Sequence, residues 1–414
     1  MVYFLSINKV FSKKRLDKTP QVLYIIGVRG EREHSAVTLT LCERNLPMFI
    51  ETGILHRHES NPLIVPQDIP YDCKRVYNPA ACLFDGKYAL ILRIEDHQER
   101  QLIGLATSED GIHFTVEPRP ILAPAADEYG KLNDPRITLI DGWYYLTYCS
   151  DPSWPHQDEI RDEGIFLCIA RSRDLHNWER IYKSEPDNRN GVIFPEKING
   201  LYARLDRPFK RGYRKTAGYD IWISYSPDME FWGRHRLVLS HLDIPWGMHK
   251  IGPGVPPVKT DQGWLVIFHG ALLVDSQQKW KIWSCGNRKV YCAGVMLLDL
   301  ADPSKIRGVC KKPILVPTES YEMDEVYRPN VVFPSGAILE NDGQLKIYYG
   351  ASDTSVALAT APIDVLVDCC LGGGAWKAQE GVGVTYNTSA GIVSVPGREV
   401  VGHSMPLLGR QVLK

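Results

Sequence analysis

A short element recurs five times along this chain, and it limits the fold more than any other feature. Each copy is a turn ending in Gly, followed by alternating aromatic and aliphatic residues. The copies are D-G-K-Y-A-L-I-L-R from Asp85, D-G-W-Y-Y-L-T-Y from Asp141, N-G-L-Y-A-R-L-D-R-P from Asn199, Q-G-W-L-V-I-F-H from Gln262 and D-G-Q-L-K-I-Y-Y from Asp342. An Asx-Gly pair supplies the positive φ of a tight hairpin turn. The alternation that follows has the period of a half-buried strand. The turn glycines, Gly86, Gly142, Gly200, Gly263 and Gly343, stand 56 to 80 residues apart.

A second element follows each of these: a strand, a polar turn with Asp, then an aromatic. It reads L-A-T-S-E-D-G-I-H-F from Leu105, I-A-R-S-R-D-L-H-N-W from Ile169 and I-S-Y-S-P-D-M-E-F-W from Ile223. Weaker copies are G-V-M-L-L-D-L-A-D-P from Gly294 and A-L-A-T-A-P-I-D from Ala357. Five paired copies predict an all-β chain, a five-bladed β-propeller of four-stranded blades. A large β-sandwich is the competing reading, but strand regularity alone does not give paired elements at a sustained period. The repeat divides the chain into an N-terminal extension (1–55), a propeller (56–368) and a C-terminal tail (369–414). Neither end fits the repeat, and the N-terminal segment, with its basic stretch Lys13–Lys18, is a candidate for homo-oligomer contacts.

Charge narrows the partners. Lys and Arg number 48 against 49 Asp and Glu, a formal net charge of −1 over 414 residues. That excludes a broad cationic surface for nucleic acid or anionic membrane, so any anion must be held by a few local cations. The apolar run Val22–Val28 is too short to span a bilayer and lacks the flanks of a signal peptide. A cytoplasmic protein is expected, in which the sequon at Asn387 goes unused. The ten cysteines contain no C-x-x-C pair. They read as mostly buried thiols in a reducing compartment, not as a zinc site.

In a propeller the inner-strand ends and loops of every blade converge on one mouth of the channel, so charged groups at those places are the candidates. V-Y-N-P-A-A (Val76–Ala81) enters the first blade, and Arg93 closes its apolar strand in L-R-I-E-D. Arg93 needs a partner there, either Glu95 or Asp96 or a site. L-N-D-P-R-I (Leu132–Ile137) enters the second blade, where Pro135 biases Asp134 to an extended conformation. A turn-capping role is the plainer reading of Asp134. A cationic set follows: Arg189, Lys197, Arg207, His249, Lys250 and His269. Either these gather as a local anion site, or each pairs with its neighbour, Arg207 with Asp206 and Lys197 with Glu196. Asp353, after a strand and a Gly turn, is either a sugar-hydroxyl acceptor or a turn residue.

In this order the motifs Y-N-P-A, L-R-I-E-D, N-D-P-R, F-P-E-K-I-N-G, D-R-P, H-K-I-G-P-G, G-W-L-V-I-F-H-G and I-Y-Y-G-A-S-D resemble glycoside hydrolase family 130, from about Asn61 to about Asp368. That family comprises inverting β-mannoside phosphorylases and their hydrolytic relatives, built on a five-bladed propeller. The resemblance implies that Asp134 is the proton donor, acting through the mannose 3-hydroxyl. It implies that Arg189, Arg207 and Lys250 bind phosphate, with His269 and Tyr291 close by. Asn78, Arg93, Asp353 and His249 match positions that line the substrate. It implies a β-mannoside (a mannobiose, a mannooligosaccharide or mannosyl-N-acetylglucosamine) and inorganic phosphate as partners, with no further cofactor and no metal. Where the family often carries Glu or Tyr before the donor, and His in the R-P motif, this chain has Asn133 and Asp206.

Phosphate is a charged nucleophile at neutral pH, so a phosphorylase needs one acid and a set of cations, whereas an inverting hydrolase needs a second carboxylate to activate water. The retained cations therefore favour phosphorolysis over hydrolysis, the retained Asp134 counts against a non-catalytic mannoside-binding propeller, and the paired carboxylates at inner-strand starts that a furanosidase needs are not seen. For Asp134 to act as an acid at neutral pH its pKa must be raised, which partial burial would do and nearby cations would oppose until phosphate binds.

Overall fold

The Asx-Gly pairs form the turns their sequence demands. Asp85 and Gly86 (φ 48° and 75°), Asp141 and Gly142 (50° and 75°) and Asn199 and Gly200 (50° and 81°) are left-handed at both positions, the geometry that matches strand twist in a two-residue hairpin. A computed structural model describes residues 51–372, apart from 129, 152–163, 209–218, 274–288 and 325–326, together with strands at 384–388 and 391–395.

Five antiparallel sheets follow one another in the chain. The first blade holds β2 (Arg75–Phe84), β3 (Lys87–Glu95), β4 (Gln101–Ser108) and β5 (Thr115–Val116). The second holds β6 (Leu132–Ile140), β7 (Trp143–Ser150), β8 (Phe166–Ser172) and β9 (Glu179–Lys183). The third holds β10 (Asn188–Ile193), β11 (Tyr202–Pro208), β12 (Ile221–Ser226) and β13 (Gly233–Leu239). In the fourth, β14 (Lys250–Pro253) and β15 (Val258–Thr260) both pair with β16 (Gly263–Leu273), followed by β17 (Lys289–Leu298) and β18 (Ile306–Val309). The fifth holds β19 (Val332–Leu339), β20 (Gln344–Ala351) and β21 (Ser355–Pro362). The five-bladed β-propeller is thus present.

The second repeated element ends the third strand of each blade. Ser108, Ser172 and Ser226 donate to Asp110, Asp174 and Asp228, whose carboxylates accept backbone N–H groups two and three residues on. The fifth copy departs from this. After Pro362 the chain enters α1 (Ile363–Leu371), so the fifth blade takes its outer strand from the opposite end of the fold: β1 (His56–Arg57) pairs with β21. The first residues of the ring therefore close its last blade, which removes an edge.

Alternation then sets the core. In β3, Ala89 and Ile91 pack toward the second blade, whereas Leu90, Leu92 and Ile94 pack toward the fifth. Each remaining gap between neighbouring blades is likewise filled, as by Val266 and Phe268 against Leu205 and Ile223, and by Leu265 and Ile267 against Ile347 and Ala357. Cys310, just past β18, and Cys369 of α1 are joined as a disulfide. This pair is the exception, among the described cysteines, to the expectation of mostly buried thiols. Their Cα atoms lie 5.4 Å apart, inside the usual span. Cys73, Cys82, Cys149, Cys168, Cys292 and Cys370 are free. No described helix is long and apolar enough to cross a membrane. The backbone of the tail shows one hairpin, β22 (Val384–Thr388) with β23 (Gly391–Val395). Residues 1–50, including the basic stretch, lie outside the described residues.

Candidate active site

The first strands of the five blades line the centre, with β2 beside β6 and β19, and β10 beside β6 and β14. One rung recurs in all of them. On it Tyr77 pairs with Arg93, Asn133 with Cys149, Arg189 with Arg207, Gly252 with His269 and Phe333 with Gly350. In the first three blades the register shifts immediately after this rung. The residue at the bulge turns left-handed: Asn78 (φ 49°), Asp134 (52°) and Asn190 (56°). Asx tolerates that conformation, and a bulge re-aims its side chain. Asp134 is thus not extended as Pro135 suggested; the bulge overrides the local bias.

These three side chains meet. Asn78 Nδ2 donates to Asp134 Oδ1 at 2.9 Å and Asn190 Nδ2 to Asp134 Oδ2 at 3.3 Å. Arg93 Nη1 donates to Asp134 Oδ1 at 2.6 Å. Arg93 therefore pairs across two blades and not with Glu95 or Asp96, which take Arg75 and Arg100. Gly350 stands against Asn78, and a Cβ there would run into Asn78 Oδ1. Asp353, left-handed at φ 53°, is 6% exposed, lies in the field of Arg93 and accepts from Arg328 at 3.1 Å.

The cationic set lies beside this cluster. Arg207 is 4% exposed and its Nη1 donates to His269 Nε2 at 3.2 Å. Gly252 makes the room: a Cβ on it would stand 2.7 Å from the His269 ring and 3.2 Å from Arg207 Cδ. Lys250, half-buried, points its ammonium over the Tyr291 ring at 5.0 Å. His249 packs near Tyr219 on one side and within the field of Lys250 and Arg207 on the other. Arg189 reaches one carboxylate, Asp151, at 3.6 Å, and Asn133 Nδ2 donates to the same Asp151 at 3.1 Å. Among the described residues neither Arg207 nor Lys250 meets a carboxylate. Asp206 points to the other face of its strand, where it holds Arg204 at 3.0 Å. Lys197 is outside the site: it lies over Tyr202, and its neighbour Glu196 pairs with Lys259.

The fields follow from this arrangement. Burial works to raise the Asp134 pKa, but Arg93, Arg189 and Arg136 outweigh it and hold the carboxyl well below the usual carboxylate range. In the phosphate-free site the cations thus oppose the effect of burial, as the sequence reading expects. Arg207 is pulled down to about 10 by burial and by Arg189. Burial and the same cations push Lys250 and His269 well below their ordinary values, and His249 down to about 3. Arg189 Nε, Arg207 Nε and His269 Nδ1 are buried without a hydrogen-bond partner among the described residues. Such groups call for an acceptor. No three described His, Cys, Asp or Glu side chains gather to hold a metal.

Sequence reasoning overlooked Asn190, Arg136 and Arg328. The first had a signal, since N-R-N-G repeats the shape of Y-N-P and N-D-P. Arg136 is 1% exposed, donates to the carbonyls of Pro135 and Gly254 and leaves Nη2 without a partner.

The model of the β-1,4-mannooligosaccharide phosphorylase family matches residues 54–371. The chain belongs to glycoside hydrolase family 130. Within family 130 it is 35% identical to a 1,2-β-oligomannan phosphorylase of Thermoanaerobacter sp., over 74% of this chain and 96% of the relative. It is 33% identical to a β-1,4-mannooligosaccharide phosphorylase of Ruminococcus albus, over 76% and 90%. The solved β-1,2-mannobiose phosphorylase of Listeria innocua, in complex with β-1,2-mannobiose, superposes with a TM-score of 0.63 at 28% identity, covering 76% of this chain and 99% of that one. Family 130 also contains glycoside hydrolases that target β-1,2-mannosidic linkages.

Proposed function

We propose that this protein catalyses inverting phosphorolysis of a β-mannoside, giving α-mannose 1-phosphate and a shortened sugar. The observation that carries this reading is the cation set: Arg207 and Lys250 stand beside Arg189 with no carboxylate of their own among the described residues. Cations kept together at such cost in self-repulsion are matched by an anion of two negative charges. In the proposed reaction a phosphate oxygen attacks the anomeric carbon as the glycosidic C–O bond breaks. The leaving oxygen takes a proton that originates on Asp134, relayed through the mannose 3-hydroxyl. Asn78, Arg93 and Asp353 hold the mannose, with His249, His269 and Tyr291 bordering the phosphate end.

The ionisation of Asp134 gives the order of events. In the resting site its carboxyl is ionised, held so by Arg93, Arg189 and Arg136. Phosphate bound against Arg189 and Arg207 offsets that field, and the carboxyl then takes up the proton it later donates. Binding of the nucleophile thus arms the acid. The deciding experiment incubates β-1,2- and β-1,4-mannobiose with and without phosphate and assays both products. α-Mannose 1-phosphate formed only with phosphate is the expected outcome. Free mannose released in phosphate-free buffer would identify a hydrolase and overturn the reading.

A further inference from the structure

Behind Arg93 lies a buried chain of groups that no part of the reaction above uses. Gln101, 4% exposed, opens β4. Arg93 pairs with Ile103 across the ladder, so Gln101, two residues earlier, is its diagonal neighbour on the same face. Gln101 Oε1 accepts from Arg93 Nε at 3.1 Å and from Nη2 at 2.8 Å, while its Nε2 donates to Glu95 Oε2 at 2.8 Å. Glu95 is in turn paired with Arg75, whose guanidinium stacks on Tyr327 at 3.6 Å. The amide bridges a cation and an anion, and both partners demand the same orientation of it. A carboxylate at 101 would face Glu95, and a cation would face Arg93. A carboxamide satisfies both.

We propose that Gln101 is a positioning residue for the reaction: it anchors the far edge of the Arg93 guanidinium so that Nη1 is presented to Asp134. With Oε1 on Nε and Nη2, the guanidinium plane is fixed and Nη1 is left for the acid. Without it, the direct contacts left to Arg93 among the described residues are Asp134 and the face of Tyr77, 4.4 Å away. The inference rests on the reading of Asp134 as the proton donor. Asp134 is faced by Arg93 from β3, by Arg189 from β10 and by Arg136 from its own strand. Arg207 and His269 feel it from β11 and β16, and Cys149 from β7. Arg93 is faced in addition by Tyr77, Asp353 and Glu95. Of the groups that face Asp134, Arg93 is the one Gln101 touches, and its amide also reaches Glu95 at 2.8 Å and the Tyr77 hydroxyl at 3.5 Å.

The test is Gln101→Met, a side chain of similar length that cannot accept from Arg93. The expected result is a fall in kcat of about tenfold, with the KM for phosphate unchanged within about twofold. Loosening Arg93 lets Asp134 hold its proton more firmly, so the alkaline limb of the kcat profile moves to higher pH. The double variant E95Q/Q101E reverses the bridge, restores an acceptor to Arg93 and is expected to recover most of kcat. It also decides the matter should Gln101→Met not fold. A limb that stays in place or a kcat unchanged in Gln101→Met overturns the proposal, and so does a folded E95Q/Q101E protein whose kcat stays about tenfold below that of the unsubstituted enzyme. The Arg93 Nε–H signal in NMR supplies a readout that does not depend on turnover: slow exchange in the unsubstituted protein and fast exchange in Gln101→Met are expected. Equal exchange overturns the proposal even if no β-mannoside is cleaved, an outcome that counts separately against the functional reading.

Discussion

Two neighbouring clusters of buried charge in this propeller are built on the same rung of successive blades, and their charges are balanced in opposite ways. The Asp134 carboxylate is matched, with Arg93 at 2.6 Å and amides from Asn78 and Asn190 on its two oxygens. Around Arg207 and Lys250 the cations repel one another and, among the described residues, find no carboxylate. A matched cluster loses stability when one of its partners is removed. An unmatched one opposes folding and is stabilised by whatever anion enters it. The difference separates a residue set that holds a sugar and a proton from one that holds a phosphate ion.

The largest effect is expected on the matched side. Asp134→Asn keeps the shape and removes the transferable proton, and phosphorolysis should fall roughly 10³-fold. Product assays at saturating phosphate measure it, and turnover near that of the unsubstituted enzyme would remove Asp134 from the mechanism.

Next comes a pair of substitutions that are chemically alike and opposite in consequence. Arg93→Met breaks a matched pair and should lower the thermal midpoint, by an amount corresponding to about 3–5 kcal/mol for a buried pair. Arg207→Met removes an unmatched cation and should raise the midpoint in phosphate-free buffer, by about 1–3 kcal/mol. The same Arg207→Met protein should lose most of the stabilisation that phosphate gives the unsubstituted enzyme, which at one hundred times Kd is about 2.7 kcal/mol. Its KM for phosphate should rise about 10- to 100-fold. If both substitutions lower the midpoint alike, the contrast between the clusters is wrong.

A smaller effect tests how the matched cluster is seated. Gly350→Ala places a Cβ against Asn78 Oδ1. Asn78 must then shift from Asp134. We expect kcat to fall about tenfold, on the order of one charge-assisted hydrogen bond, with the KM for phosphate unmoved because Arg207 and Lys250 lie elsewhere. A rise in that KM instead would mean that the two clusters act as one.

Much of this was legible in the sequence, for definite reasons. The Asx-Gly turns and the strand period depend on residues adjacent in the chain, so the five blades could be counted. The closing strand His56–Arg57 could not be foreseen, because two residues carry no period. Nor could the helix Ile363–Leu371, which replaces the turn that A-P-I-D seemed to repeat. The cationic residues were visible as a set, and the strand period explains why Arg207 does not pair with adjacent Asp206. The partner of Arg93 was not visible, since Asp134 lies 41 residues away and only the bulge brings it near. That cations oppose burial at Asp134 until phosphate binds is expected from the sequence, but which cations do so is not visible there. Burial and the cations act in opposite directions, and three arginines from three strands decide the balance.

The smallest effect lies at the rim of the unmatched cluster and concerns stability against pH. His249 is held down to about 3 from an ordinary 6.5, by burial and by Lys250, Lys289 and Arg207. Between those values the unfolded chain binds a proton that the folded one refuses. The unfolded state is therefore favoured as pH falls, and stability rises with pH across the window, reaching its full value above 6.5. Asp134 has a depressed folded value, so its contribution is lost as pH falls below its unfolded value of 3.8, under the interval from 6.5 to 4.5 in which His249 is read. In phosphate-free buffer the thermal midpoint should thus decline from pH 6.5 toward 4.5, and His249→Asn should flatten part of that decline while leaving the midpoint above pH 7 nearly unchanged. An unaltered slope would mean that the cations near His249 do not set its charge, and that the unmatched cluster ends at Lys250.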